Sequence, residues 1–272
     1  MKAFALQAPG SLALIDLPET EREGVVVSMR AAGVCGTELH IEDGMIPPPW
    51  YPFVLGHEGA GIVQSAPPGS NWHEGDRVAI YNLIACGSCH WCRTGREEVC
   101  SDPAGQLGFN LNGTFRDQVW VPANNLVAVP EAVSFEDAAL LTCSGMTAIH
   151  VVRLSGVSLG QTAVVNGVGG VGLMVIQACV AAGARVVAIA DNEARAQLAR
   201  QAGAADAIVL DNDGYDSVPT SVLGLTSGEG ADHYFELVGT SATIAAGIRS
   251  LRPHGAAVLI GYTTENIDIH PI

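Results

Sequence analysis

Lysine is all but missing from this chain. Lys2 is the only one among 272 residues, and every other basic side chain is Arg or His. A P-loop or a Schiff-base site needs a lysine in the body of the fold, so both chemistries are excluded. Positive charge is scarce as well: 13 Lys and Arg stand against 28 Asp and Glu, a formal net charge of −15. Nucleic acids and anionic membranes select basic faces, so neither is an expected partner. Charge of either sign is low at 15%, while 48% of residues are hydrophobic and 32 are Gly. Such a chain can bury a sizeable core, which excludes disorder. No uninterrupted apolar run reaches the ~18 residues of a spanning helix. The opening MKAFALQAPGSLALIDL alternates as strands do and has no apolar h-region or cleavage site. No signal peptide is expected, and the expected location is the cytoplasm.

Seven cysteines are present, and disulfide pairing of an odd count leaves one over. Metal ligation in a reducing compartment is the better expectation. Cys86, Cys89, Cys92 and Cys100 form C-x2-C-x2-C-x7-C, with Gly87 and Gly95 in the same segment. Four thiolates from one short loop suit a closed tetrahedral zinc site, which stabilises but does not catalyse. A ferredoxin run shares the first three positions. It places the fourth cysteine after three residues and before a proline, and neither holds here.

The texture changes along the chain. Up to about Pro130, Gly and Pro break the sequence often, and short β-like runs such as Gly24–Val27, Gly59–Val63 and Asp76–Ile80 lie between them. This predicts an irregular, mostly β domain with functional loops. Ser134, with Asp137 three residues on, marks a helix start. Strands then alternate with helices: strand Thr162–Asn166, helix Val171–Ala182, strand Arg185–Ala190, helix Glu193–Ala202 and strand Ala207–Val209. Strand Asp232–Leu237, helix Ser241–Ser250 and strand Ala256–Ile260 follow. That alternation predicts a doubly wound parallel sheet. The expected fold is therefore α/β, a mostly β domain over 1–144 followed by a Rossmann domain over 145–272.

Gly167, Gly169 and Gly172 form GxGxxG directly after an apolar strand and at the opening of a helix. In that context Gly167 allows the tight turn, Gly169 lets the backbone approach a pyrophosphate, and Gly172 lets the helix pack closely on the strand. The second strand ends at Ala190-Asp191. An acid there accepts ribose hydroxyls and repels a 2′-phosphate, which favours NAD. The register leaves two readings open, because Ala190 can occupy the acid's place, and Arg195 is the nearest basic group if NADP is bound instead.

Cys35 lies in GVCGTELH, His57 in GHE, and Cys143 after the helix that starts near Ser134. Together they supply Cys, His and Cys, a set suited to catalytic zinc with one position left open. Their spacing alone does not gather them. GVCGTELH at 33–40, LGHEGAG at 55–61, GDRV at 75–78, the four-cysteine segment, LLTCSGMTA at 140–148, VNGVGGVG at 165–172 and LRPHG at 251–255 do so by resemblance. In that order they resemble the zinc-containing medium-chain alcohol dehydrogenases over essentially the whole chain.

The resemblance implies a GroES-like catalytic domain, a catalytic zinc on Cys35, His57 and Cys143, and a structural zinc on the four-cysteine lobe. Glu58 is implied to stand near the metal, and Glu38 to orient His57. Thr37 is implied to hydrogen-bond the substrate hydroxyl, and His40 to carry the proton onward. Gly170 and Val171 join the glycine turn, while Thr147, Val171, Leu237, Ile260 and Tyr262 surround the nicotinamide. Trp50, Asn82 and Phe115 are candidate pocket walls. Cys179 reads as core, and His73, His90, His150, His233, His254 and His270 carry no motif.

Glu38 stands where many relatives carry Asp. The pattern departs from the family at three further places: the acid after the second strand is out of register, and Arg116-Asp117 stands where relatives often have a small residue followed by Glu. Relatives also continue past Pro271-Ile272, so a closing C-terminal segment is expected to be absent and five sheet strands are expected where six complete the fold. The function expected is interconversion of an alcohol with its aldehyde or ketone by hydride transfer, with NAD, a small-molecule substrate and a homo-oligomer (dimer or tetramer). The alternatives are an NADPH-dependent aldehyde reductase and a catalytically silent, zinc-stabilised dinucleotide-binding protein.

Overall fold

The computed structural model describes residues 1–18, 24–264 and 266–267; His270 and the end of the chain lie outside them. Two compact units divide at Cys143 and Ser144.

The first unit is built on a five-stranded antiparallel sheet. Its order is Leu126–Ala128, Arg77–Ile80, Glu58–Ser65, Val25–Gly33 and Gln118–Val121. Val25, Val27, Val63, Val78, Ile80, Val119 and Val121 form the buried cluster on it, as β-branched residues at every second position do on a half-buried sheet. A smaller sheet pairs Lys2–Ala8 with Ser11–Asp16 and Phe53–Val54. It contributes Leu6 and Phe53 to a cluster with Leu55 and Ile41. Ile41 is the buried anchor of the short helix Gly36–Glu42, and burying such a side chain contributes about 1.5–3 kcal/mol.

Two features of this unit place chemistry. The ladder between Val25–Gly33 and Glu58–Ser65 ends with Gly33 opposite Glu58. The chain therefore delivers Cys35 just past one strand end and His57 just before the other strand start. The helix Phe135–Leu140, capped by Ser134 accepting the Asp137 N–H at 3.0 Å, buries Ala138 and Ala139 beside Ala60 and Ala79. It then passes into a π-helical turn, Leu141–Gly145, that carries Cys143.

Helical residues run continuously from Phe135 to Ser155, and this 21-residue stretch has the length and composition of a membrane span. The apolar-run count misses it because Glu136, Asp137, His150 and Arg153 interrupt the sequence. Ala138, Ala139, Ala148, Val151 and Val152 on it are buried within the protein.

The second unit holds a five-stranded parallel sheet in the order Asp206–Val209, Arg185–Ala190, Thr162–Asn166, Ala231–Glu236 and Leu251–Leu259. Alternate residues feed two cores. Ala163, Val165, Val186, Ala188 and Phe235 pack with Val175, Ile176 and Cys179 on one face. Val164, Val187, Ile189 and Tyr234 pack with Val218, Val222 and Ala246 on the other. Burial on both faces is the reason these strands read as continuous apolar runs.

Two elements differ from expectation. A helix at Val218–Leu225 is hidden in the sequence by Pro219 and Gly224, although Pro is well suited to the first helical turn. The last strand starts at Leu251 rather than Ala256, running through Pro253 and through His254 at a φ of 64°. Its pairing with Ala231–Glu236 is irregular there, as an edge strand tolerates.

Candidate active site and metal centres

Thiolates dominate both clusters of donor atoms. In the four-cysteine lobe the sulfurs of Cys86 and Cys92 lie 3.9 Å apart, Cys89 and Cys92 3.5 Å, Cys89 and Cys100 3.9 Å, and Cys86 and Cys100 3.5 Å. Zinc–sulfur bonds of ~2.3 Å at tetrahedral angles set sulfurs ~3.8 Å apart, so the donors fit a zinc ion. The short helix His90–Arg93 holds Cys92 inside, with the Cys89 sulfur accepting its N–H at 3.5 Å.

The second cluster joins Cys35, His57, Glu58 and Cys143, each offering a ligand atom within 4.8 Å of the others. His57 Nε2 lies 3.2 Å from Cys143 Sγ, close to the ~3.5 Å separation that a shared tetrahedral zinc sets. His57 Nδ1 donates to Glu38 Oε1 at 2.6 Å, and the Cys35 N–H donates to Glu38 Oε2 at 2.8 Å. Because a carboxylate only accepts, Nδ1 carries a proton, which leaves Nε2, beside Cys143, as the nitrogen that faces the cluster. The sequence places Cys143 by resemblance only; the π-helical turn brings it here.

Electrostatics mark the cluster as a site for a cation. Cys35 and Cys143 share one negative charge. The Cys143 thiol donates to Cys35 and pulls it down to about 3, while the same contact and burial push Cys143 well above the thiol range. Burial lowers His57, but Cys35 and Glu38 outweigh it and hold the ring up at about 9. Burial first, and then the Cys35 charge, raise Glu58 to about 7. Glu58 Oε2 is buried without a hydrogen-bond partner. A buried carboxyl oxygen without a hydrogen-bond partner beside two sulfurs is a group that a divalent ion would satisfy.

The neighbours of the cluster divide into those expected and those missed. Thr37 Oγ1 lies 3.9 Å from Cys35 Sγ, and His40 follows one turn later on the same helix. Phe109, which the sequence did not single out, lies tilted against the His57 ring with the centroids 5.2 Å apart. Gly33 was also missed. A Cβ there would overlap the Glu58 carboxylate, so only glycine admits that side chain. Asn82 is buried, donates to the His57 carbonyl at 3.2 Å and accepts from Gln106. Phe115 packs into the core beside Leu55 and Val54, while Trp50 is exposed and edge-on to Phe53. Arg116 donates to the Asn112 carbonyl, and Asp117 accepts the Lys2 N–H.

In the second unit the glycine turn follows strand Thr162–Asn166 and opens the helix Gly170–Ala181. A Cβ on Gly172 would collide with the Gly167 carbonyl, whereas one on Gly169 would meet nothing within 4 Å. The protein itself does not require a glycine at 169, but a ligand lying against the turn does. The N-cap Gly169 has no side chain over the helix end, leaving free N–H groups for an anion. Val171, Leu237 and Ile260 pack on the core cluster that takes in Ala148, next to Thr147. Tyr262 is exposed. Ala190 is the buried last residue of its strand, and the exposed Asp191 follows it, accepting from Arg195 at 3.0 Å and Asn192 at 2.9 Å.

Both units of the chain match known families. Residues 21–131 match the alcohol dehydrogenase GroES-like domain, and residues 170–272 match the zinc-binding dehydrogenases. The chain belongs to the zinc-binding medium-chain dehydrogenase family. It is 32% identical over 258 residues to an alcohol dehydrogenase of Geobacillus stearothermophilus, covering 94% of this chain and 75% of the relative. An NAD-dependent alcohol dehydrogenase structure superposes with a TM-score of 0.87 at 30% identity, over 95% of this chain and 77% of that one. A zinc-binding dehydrogenase of Sinorhizobium meliloti 1021 bound to NADP does so with a TM-score of 0.87 at 27% identity, over 99% and 80%. As a member, this medium-chain dehydrogenase is an oxidoreductase of alcohols and carbonyl compounds that works with zinc and a nicotinamide cofactor.

Proposed function

We propose that this dehydrogenase interconverts an alcohol and its aldehyde or ketone at Cys35, His57 and Cys143, with NAD as the cofactor. The observation that carries the reading is the meeting of those donors, from separate parts of the chain, beside Glu58 and within reach of the Thr37 hydroxyl. Cys35, His57 and Cys143 would hold a catalytic zinc, and Cys86, Cys89, Cys92 and Cys100 a structural one. When bound at the first site, zinc supplies the Lewis acidity that makes an alcohol proton removable near neutral pH. A bound nicotinamide would supply the hydride acceptor.

The chain's own groups do the rest. Thr37 accepts the proton of the substrate hydroxyl as it donates its own onward, and His40 passes that proton to solvent. Glu38 fixes the His57 tautomer, and Glu58 lies beside the donors as an alternate carboxylate partner for the metal. Gly167, Gly169, Gly170, Val171 and Gly172 bind the pyrophosphate, with Thr147, Leu237, Ile260 and Tyr262 around the nicotinamide. Asp191 supports NAD, since its exposed carboxylate stands after the second strand and already neutralises Arg195, the nearest cation for a 2′-phosphate.

In this reading residues 1–144 form the catalytic domain and 145–272 the dinucleotide domain. The protein acts in the cytoplasm on a small molecule as a dimer or tetramer. Zinc analysis with paired kinetics in NAD and NADP tests the proposal. Zinc in both clusters, alcohol-dependent NADH formation, and its loss in Cys35→Ser are expected. A cluster without zinc, or a strong preference for NADP, overturns the corresponding part.

A further inference from the structure

Glu236 is a fully buried carboxylate, and among the described residues it makes no ion pair. It ends the strand Ala231–Glu236. Its Oε1 accepts the N–H groups of Val238 at 2.8 Å and Gly239 at 2.9 Å, and Oε2 accepts Gly239 again at 3.0 Å. Its backbone carbonyl accepts the N–H groups of Ile260 at 2.8 Å and Gly261 at 2.9 Å. One residue therefore ties together the turn after its own strand and the turn after the neighbouring strand.

The fit around this junction is close. Gly239 sits at a φ of 83°, and a Cβ on it would meet the Tyr262 carbonyl. A Cβ on Gly261 would meet Glu236 Oε2 and Gly239 Cα at 2.7 Å each. Burying a carboxylate without a cation costs several kcal/mol unless hydrogen bonds replace its water. An apolar side chain would fill the strand end at less cost. What it would not do is satisfy the Val238 and Gly239 N–H groups and so hold the turn against which Gly261 and Tyr262 pack.

We propose that Glu236 is a positioning residue for the nicotinamide half of the cofactor, locking Leu237 and Ile260–Tyr262 in place through these backbone hydrogen bonds. The inference rests on the reading that those residues surround the nicotinamide. The pyrophosphate turn keeps its own geometry, since the Gly167 N–H bonds the Ile189 carbonyl rather than any atom of Glu236.

The test compares NADH with ADP-ribose, which shares the adenosine and pyrophosphate but lacks nicotinamide, using intact zinc-loaded protein. In Glu236→Gln, where an amide N–H₂ faces the Gly239 N–H, the NADH Kd rises about tenfold while that of ADP-ribose changes by less than about twofold. Gly261→Ala, which pushes the same junction apart without touching the carboxylate's charge, gives the same selective loss. In steady state both variants raise KM for NAD and leave KM for the alcohol unchanged. Equal weakening of NADH and ADP-ribose, or no weakening of either, overturns the positioning role. Wild-type protein that binds ADP-ribose but gains nothing from the nicotinamide overturns the cofactor reading itself, and the inference with it. Circular dichroism and zinc content report folding, and if Glu236→Gln fails to fold, Gly261→Ala decides the matter.

Discussion

Glu38 and His57 are joined by a 2.6 Å hydrogen bond from Nδ1 to Oε1, and the other oxygen of that carboxylate accepts the Cys35 N–H at 2.8 Å. One side chain thus sets the imidazole of one donor and the backbone of another. Removing such an outer partner costs about 10–100-fold in metal affinity. Glu38→Ala is expected to lose zinc from the Cys35 cluster at that scale in a chelator competition, with the four-cysteine lobe still loaded. Glu38→Asp, which keeps the charge, should lose less. Equal zinc affinity in wild type and Glu38→Ala would sink this account.

Gly33 has no side chain where Glu58 needs room. In Gly33→Ala the new methyl overlaps the Glu58 carboxylate and meets Leu140 at 3.1 Å, an overpacking that costs about 1–3 kcal/mol. Turnover is expected to fall more than the melting temperature suggests, because the displaced carboxylate belongs to the metal cluster. A fully active Gly33→Ala enzyme would show that Glu58 has freedom the structure denies it.

The four-cysteine lobe has little apolar packing of its own, with only Cys92 of the four sulfurs' residues buried. Its stability should therefore be lent by metal. Cys92→Ser is expected to lose the lobe's zinc, lower the melting temperature and speed proteolysis near residues 86–100, while zinc stays on Cys35 and His57. Calorimetry with metal analysis checks this, and an unchanged melting profile after loss of that zinc would refute it.

Asp232 ties the start of a central strand to the neighbouring edge strand. It accepts the Thr162 N–H at 2.7 Å and Arg252 Nε at 2.6 Å. Burial raises its carboxyl, but the Thr162 N–H and the Arg252 guanidinium more than offset that and hold it below the ordinary value. Its stabilisation is therefore complete above the unfolded pKa of ~3.9 and fades as pH falls through the lower folded value. Asp232→Asn should cost about 1–3 kcal/mol at neutral pH, and urea unfolding should show the gap closing below about pH 4. A gap that stays constant with pH would mean that charge plays no part.

Much of this molecule was legible before folding. Alternation placed the three central strands of the parallel sheet to within a residue because each is buried on both faces, and the cysteine spacing gave the lobe because all its donors are local. The Cys35 cluster was legible only by resemblance. Cys35, His57 and Cys143 meet through a strand register, Gly33 opposite Glu58, and through a helix that packs by its alanines. Neither leaves a local signature. The helix at Val218–Leu225 was lost because breaker residues sit where the helix tolerates them, and Glu236 carries no motif although it joins two turns.

The π-helical turn at Leu141–Gly145 holds one residue more than an α-helix would. Each residue advances the chain about 100° around a helix axis, so deleting a single position there would swing Cys143 away from His57 while leaving both helical flanks intact. Loss of one residue at Leu141 or Thr142 would therefore leave Cys35 and His57 without the sulfur that the turn now brings to them.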